Sequence, residues 1–133
     1  MMTYDEFVTD IQLRYGDIDA LGHVNNAAYL TYYELARVNF LKNFYKIKAD
    51  EIGIVIARAE IDFLKPILFE DKIHVKTDIS KVGKTSITFS HKIYSDDGTI
   101  YSNAVIVGVF VDQNGKSRNV PEEIVKFANS RLK

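Results

Sequence analysis

The stretch RYGDIDALGHVNNAAYLTYYELAR, residues 14–37, places a polar segment directly before the most helix-like part of the chain. Apolar and aromatic residues then recur at steps of three or four, at Tyr29, Tyr33, Ala36, Phe40 and Phe44. This spacing is that of one face of an α-helix, so we predict a helix over residues 26–44. Asn25 or Asn26 can cap its start, because an asparagine side chain accepts a hydrogen bond from a first-turn amide.

The rest of the chain follows a period of two, which is typical of strands with one buried face. We expect strands at residues 10–15, 53–65, 72–80, 85–95 and 99–112, and a short helix at 121–132. Turns at Val82-Gly83-Lys84, Asp97-Gly98 and Asn114-Gly115 join the later strands, so neighbouring strands are antiparallel. One long helix beside such a sheet predicts the α+β fold class, in a single domain spanning residues 1–133.

The apolar residues of the predicted helix and of the last predicted strand indicate that each element packs on more than one side. The helix is apolar or aromatic around much of its circumference, so we expect a curved sheet to surround it. In the strand predicted at residues 53–65, one face carries Val55, Ala57, Ala59, Ile61 and Phe63. The last strand is apolar on both faces from Val105 to Val111, which predicts burial on both sides and therefore a dimer or larger assembly.

Composition excludes several classes of function. The net charge of −1 argues against nucleic-acid binding, which needs an excess of Lys and Arg. The chain has no cysteine, so it forms no disulfide, thiolate zinc site or cysteine nucleophile. Its acidic start does not resemble a signal peptide, and no apolar run reaches the ~18 residues of a membrane span. We therefore expect a cytoplasmic protein without a membrane span.

The polar segment can carry acyl-transfer chemistry. The unpaired amides of a helix N-terminus stabilise an oxyanion, and a carboxylate just upstream can act as nucleophile or general base. Asp19 and the backbone amide of Asn26 fit these two roles. The alternative is purely structural, since Asp and Gly are common turn residues: Asp17 and Asp19 shape a turn, Gly22 permits a bend, and Asn25 caps the helix.

The motif GDIDALGHVNN followed by YLTYYELAR closely resembles the hot-dog-fold acyl-CoA thioesterases of the 4-hydroxybenzoyl-CoA thioesterase type. The segments FLKPILFEDKIHV and VGKTSITFSHKIY are also similar to that family, and the resemblance covers about residues 10–112. It implies a long helix wrapped by an antiparallel sheet. It also implies hydrolysis of an acyl-CoA, with an active site at the interface of a homodimer or homotetramer. No cofactor is implied, because coenzyme A is part of the substrate.

The resemblance assigns roles to individual residues. Asp19 becomes the catalytic aspartate, the Asn26 amide the oxyanion donor, and Gly22 a point of close approach to the substrate. His23 and Asn25 bind the thioester or position water, with capping and packing as the alternative. Three tyrosines, Tyr29, Tyr32 and Tyr33, line the acyl pocket or belong to the core.

The turn near residue 83 can bind the coenzyme. Lys84, Thr85 and Ser86 are placed to touch the phosphates or the pantetheine arm of coenzyme A. A nucleotide phosphate loop is rejected there, because position 78 is Asp rather than Gly and a strand follows.

Other polar residues are interpreted as structural. We expect His91 to be a hydrogen-bonded core or interface histidine, His74 to be solvated, and Glu34 and Arg37 to form a local pair. No metal site is expected. Two alternatives to an acyl-CoA thioesterase stay open: a thioesterase acting on acyl carrier protein, which requires a basic rim, and a non-catalytic acyl-CoA-binding module. A dehydratase of the same fold ranks last, because the helix offers no histidine.

Overall fold

The computed structural model describes residues 7–42 and 53–131. Within these residues the elements are β1 Val8–Ile11, α1 Asn26–Lys42, β2 Gly53–Phe63, β3 Ile73–Val82, β4 Ser86–Tyr94, β5 Ile100–Val111 and α2 Glu122–Arg131. The strands form one antiparallel sheet in the order β1-β3-β4-β5-β2. The predicted α+β class is confirmed. Positions 43, 44 and 132 of the predicted helices lie outside the described residues.

The first strand begins and ends earlier than predicted. β1 covers Val8–Ile11 rather than residues 10–15, and it pairs with Ile73 to Lys76 of β3. The chain then leaves the sheet and forms a 3-10 turn at Tyr15–Asp17. The Asp17 carboxylate accepts a hydrogen bond from the Arg14 amide at 3.1 Å, which closes this turn. Local side-chain bonding therefore replaces strand pairing over these residues.

The core lies between α1 and the sheet and has two parts. The first contains Val24, Tyr29, Tyr32, Tyr33, Ala36, Ile67, Ile73, Val75, Ile93, Tyr101, Ala104 and Ile106. The second contains Phe7, Phe40, Ile79, Ile87, Phe89, Phe110, Val120, Ile124 and Ala128. The N-terminal half of α1 thus packs on the first part, whereas Phe40 and α2 pack on the second.

The sheet packs against one side of α1, as predicted, and within a single chain the other side of the helix keeps half-exposed apolar residues. Leu30, Leu35 and Val38 are 48%, 49% and 45% exposed on the helix. Because one five-stranded sheet covers only one side of a helix, the opposite side keeps its apolar surface in solvent. β2 is an edge strand, and Val55 and Phe63 on it are 54% and 48% exposed. The valine row of β5 is also uncovered in part, with Val105 38% exposed, so burial on both of its sides is absent from a single chain.

A β-bulge in β2 corrects the predicted strand face. Val55 pairs with Val109, whereas Ala59 pairs with Ile106, and the register shifts between Ile56 and Arg58. Paired residues share a face, and positions 106 and 109 of β5 are an odd number of residues apart. Val55 therefore lies on the face opposite to Ala59, because the bulge inserts one extra residue.

Candidate active site

A small antiparallel ladder delivers the chain to the start of α1. The Asp19 amide donates to the His23 carbonyl at 2.8 Å, and the Asn25 amide donates to the Asp17 carbonyl at 2.8 Å. The Val24 amide donates to the Ile67 carbonyl at 2.8 Å, which fixes the ladder to the segment that follows β2. The polar motif is therefore an ordered hairpin held against the core.

Asp19 occupies the tight turn of this hairpin and is exposed. Its Oδ1 atom accepts hydrogen bonds from the amides of Leu21 at 2.9 Å and His23 at 3.2 Å. Gly22 adopts a φ of 84°, in the left-handed region that favours glycine. Asp19 Oδ2 has no hydrogen bond within residues 7–42 and 53–131, so one carboxylate oxygen is available.

The same turn recurs at Asp112. Asp112 Oδ1 accepts from the amides two and four residues later, at 2.8 and 3.0 Å, and Gly115 has a φ of 78°. The backbone bonds of the two turns also match, with Gly22 donating to Asp19 at 3.1 Å and Gly115 donating to Asp112 at 3.0 Å. The turn geometry alone thus explains the hydrogen bonds of Asp19 and the positive φ of Gly22. The Asp19 turn differs from the Asp112 turn in that it leads into α1.

The helix start leaves one amide unpaired. Asn25 caps α1, because its Oδ1 atom accepts from the Ala27 amide at 3.0 Å. The Asn25 carbonyl accepts from the Ala28 amide at 2.9 Å. The Asn26 amide meets no acceptor among the described residues, so it can serve an oxyanion. The capping role of Asn25 is confirmed, whereas substrate contact by Asn25 and His23 stays a prediction.

Two of the predicted pocket tyrosines belong to the core. Tyr29 is 2% exposed, with its ring 4.9 Å from that of Phe63. Tyr33 is fully buried, and its hydroxyl donates to Ser102 Oγ at 2.5 Å. Burial raises the pKa of both phenols, so both stay protonated near neutral pH. Sequence reasoning gave no role to Ser102, because a buried partner on a distant strand has no local signal.

Tyr32 has a different partner, which spacing did not reveal. Its hydroxyl donates to Asp17 Oδ2 at 2.7 Å. Both residues border a groove of about 500 Å³ between β1 and the outer side of α1, together with Arg14, Leu35 and Val38. Tyr32 thus borders this groove, and substrate contact by Tyr29 and Tyr33 stays a prediction.

The predicted coenzyme-binding turn is held by backbone hydrogen bonds to β5 and to the segment before α2. The Thr85 carbonyl accepts from Phe110, and the Lys84 carbonyl accepts from Val120, beside the second part of the core. Ser86 begins β4, and about 23 Å of strand separates it from Ile93, which belongs to the first part of the core, as Tyr29 does. Contact of Lys84, Thr85 and Ser86 with coenzyme A stays a prediction.

The histidines differ from each other in their surroundings. His91 is 4% exposed and its Nδ1 atom lies 3.2 Å from Thr77 Oγ1, which confirms a hydrogen-bonded core histidine. The expectation that His74 is solvated holds only in part, because its side chain is 19% exposed. Its Nδ1 lies 2.6 Å from Asp10 and its Nε2 lies 2.8 Å from Asp96, because strand pairing aligns Asp10 with it and the β4–β5 turn supplies Asp96.

The predicted local pair on α1 is a charge interaction rather than a close ion pair. Arg37 is 7% exposed, and its Nη1 atom has no hydrogen-bond partner within the described ranges. Glu34 is exposed and makes no close ion pair with Arg37, although its charge opposes the larger effect of burial, which lowers the pKa of Arg37. Among residues 7–42 and 53–131, no group of three His, Asp or Glu side chains is arranged to hold a metal ion.

The architecture and the loop before α1 define the class of protein, a hot-dog domain whose helix is preceded by an aspartate-bearing turn. Residues 13–127 match the model of the thioesterase-like superfamily, and the chain belongs to that family. The family and the hot-dog fold predicted from the sequence are thereby confirmed. The predicted enzyme class, a thioester hydrolase, agrees with the names of its relatives.

Similar proteins carry names that describe thioester hydrolysis. The acyl-CoA thioester hydrolase YbgC of Escherichia coli O6:H1 is 28% identical over 120 residues, covering 86% of this chain and 90% of the relative. The long-chain acyl-CoA thioesterase FadM of Escherichia coli K12 is 28% identical over 130 residues, covering 89% and 98%. The structure of a thioesterase from Thermus thermophilus, complexed with coenzyme A and Zn, is 29% identical, with a TM-score of 0.82 and coverage of 94% and 92%. No helix in the described part of this chain is long and apolar enough to cross a membrane.

Proposed function

We propose that this protein hydrolyses an acyl-CoA thioester to a free acid and coenzyme A. One observation carries the proposal: among the described residues, the exposed Asp19 carboxylate keeps a free oxygen in a hairpin joined to a helix whose Asn26 amide meets no acceptor. A nucleophile or base beside an oxyanion donor is the minimum equipment for acyl transfer. The names of the relatives supply the substrate class.

The residues act in the following order. The thioester carbonyl oxygen is oriented toward the Asn26 amide, which stabilises the negative charge that develops on it. Asp19 Oδ2 either attacks the carbonyl carbon, forming a mixed anhydride that water then opens, or removes a proton from the attacking water. In both routes the carbon–sulfur bond breaks, the thiolate takes up a proton, and water supplies the oxygen of the acid. Leu21 and His23 hold the other carboxylate oxygen through their amides.

The active unit is a homodimer or homotetramer in this proposal. Two features of the described residues support it: the half-exposed apolar side chains on the edge strand β2 and the half-exposed apolar side of α1. A second chain also gives Lys84, Thr85 and Ser86 a way to meet a coenzyme bound at Asp19. Sedimentation of the purified protein at micromolar concentration should give a mass at least twice that of the chain.

A thiol-release assay tests the function. Wild type is offered short, medium and long aliphatic acyl-CoAs and benzoyl- and phenylacetyl-CoA, beside Asp19→Asn. Asp112→Asn is the matched control, since it makes the same chemical change in the same kind of turn. We expect turnover of some substrates by wild type and Asp112→Asn, and almost none by Asp19→Asn. Retained turnover in Asp19→Asn contradicts the assignment of Asp19. Tight acyl-CoA binding without thiol release favours the non-catalytic module.

A further inference from the structure

Asp17 joins three separate parts of the chain. Its Oδ2 atom accepts from the Arg14 amide at 3.1 Å and from the Tyr32 hydroxyl at 2.7 Å. Its backbone carbonyl accepts from the Asn25 amide at 2.8 Å. One residue therefore connects the end of the β1 segment, the body of α1 and the residue that caps α1. Its side chain is only 11% exposed, so solvent competes little for the part-buried bond from Tyr32.

Tyr32 makes this connection rigid. It is 2% exposed and lies in the second turn of α1, so its ring is fixed by the core. A hydrogen bond from a hydroxyl to a carboxylate is shorter and stronger than one between neutral groups. Burial and the neighbouring Asp17 carboxylate raise the pKa of Tyr32, so the phenol remains a donor at every pH where the protein works.

We propose that Asp17 and Tyr32 form a positioning pair that sets the Asp19 carboxylate relative to the Asn26 amide. This inference rests on the proposed function. Asp19 follows Asp17 by two residues in the same hairpin, and Asn26 follows the Asn25 amide that Asp17 binds. Tyr32 thus ties the hairpin to the helix it precedes. Asp17 and Tyr32 act through Asp19 and Asn26, and they do not contact the reacting atoms.

Kinetics of three variants test the pair. In Tyr32→Phe the ring stays and the hydroxyl is lost, and we expect kcat to fall about 10-fold or more with KM within about twofold, because small misplacements of reacting groups are costly. Asp17→Ala should behave in the same way. Asp17→Asn should restore most of kcat, since its amide oxygen still accepts from Tyr32 and Arg14. An Asp17→Asn variant as inactive as Asp17→Ala overturns the inference and makes Asp17 a catalytic base.

A matched control separates positioning from general stability. Thr9→Val removes another helix-to-strand hydrogen bond, the one from Asn39 Nδ2 at 2.9 Å, about two turns further along α1. Thr9→Val should lower stability by a similar amount and leave kcat within about twofold of wild type. An equal fall of kcat in Thr9→Val and Tyr32→Phe overturns the positioning role.

Amide exchange gives a readout that does not depend on turnover. In Tyr32→Phe the amides of Leu21, His23 and Asn25 should exchange at least about 10-fold faster, because the hairpin opens locally more often. Unchanged exchange overturns the inference even where kcat falls. A wild type that hydrolyses no thioester refutes the proposed function and with it any catalytic role of the pair. An active wild type beside a fully active Tyr32→Phe refutes only the pair.

Discussion

The Nδ1 atom of His91 lies 3.2 Å from the hydroxyl oxygen of Thr77, inside the core between α1 and the sheet. The imidazole ring centroid lies 5.0 Å from that of Tyr33 and 5.8 Å from that of Phe89. Its Nε2 atom is buried without a hydrogen-bond partner among the described residues. Burial and the nearby Arg37 charge lower the pKa of His91 to about 3. Between about pH 3 and 6.5, His91 is therefore neutral in the folded protein, whereas the unfolded chain protonates it.

This arrangement predicts a loss of stability in acid. The unfolded histidine takes up a proton near pH 6.5, whereas the folded one does so only near 3. Between these values the unfolded chain binds one more proton, so stability falls as pH falls, by about 1.4 kcal/mol per pH unit from this group. Urea denaturation of wild type and His91→Gln between pH 3 and 7 should show a smaller slope in the variant. Equal slopes would mean that His91 is charged or accessible in the folded state.

His74 should act in the opposite direction. Hydrogen bonding to Asp10 raises its pKa above 6.5 against a smaller effect of burial, and Asp96 raises it further. A histidine with a raised folded pKa adds stability below its unfolded pKa, and that stability disappears as pH rises through the folded pKa. Wild type should therefore lose its advantage over His74→Gln as pH rises above 6.5. The pKa measured by NMR should fall in Asp10→Asn, and a value that does not move would assign the shift to Asp96.

The sequence predicts the order of elements well because each signal is local. The helix from Asn26, the period of two in β3 and β4, and the Gly-containing turns are all encoded within a few residues. Errors arise where one residue changes the register or where the partner is remote. The bulge near Ile56 reverses the face of Val55, and a period count cannot see a bulge without the neighbouring strand.

The candidate site likewise combines residues that the local sequence identifies with contacts that depend on remote residues. Asp19, Gly22 and Asn25 are identified from turn and cap preferences, which depend on the chain immediately around them. The bond between Tyr32 and Asp17 depends on how the hairpin folds back on the helix, so no spacing rule predicts it. The orientation of Arg37 into the core escaped prediction too, since a charged residue at a helical step of three from Glu34 favours a surface pair.

The close approach of Gly108 and Ile54 predicts a coupled substitution. A Cβ atom added at Gly108 would lie 2.5 Å from Ile54 Cγ2, inside van der Waals contact. Gly108→Ala should therefore destabilise the protein by about 1–3 kcal/mol through overpacking. In an Ile54→Ala background the loss should shrink by at least about 0.5 kcal/mol, which a double-mutant cycle measures by denaturation. Gly16→Ala is the control, because nothing lies within 4 Å of its added Cβ.

The cap at Asn25 predicts a graded effect on stability. Asn25→Ala removes the acceptor of the Ala27 amide and should cost about 1 kcal/mol. Asn25→Ser keeps an acceptor at the same position and should be close to wild type in thermal unfolding. A fully stable Asn25→Ala would show that the helix start is held by other contacts. A raised KM in a fully stable Asn25→Ser would establish the direct substrate contact predicted from the sequence.

The paired turns at Gly22 and Gly115 predict equal losses of stability but unequal losses of activity. Both glycines have positive φ with open space around an added Cβ, so alanine at either site should cost about 1–2 kcal/mol through backbone strain alone. Gly22→Ala also shifts the turn that carries Asp19 ahead of α1, and we expect its kcat to fall about 10-fold or more. Gly115→Ala lies in a turn that leads back to strand pairing at Ser117, and its kcat should match wild type.

Denaturation and thiol release measured on both variants test this difference. If the two variants are equally destabilised and have equal kcat, the shape of the Asp19 turn does not limit the reaction. If their stabilities differ, the two turns differ in backbone strain although their hydrogen bonds match.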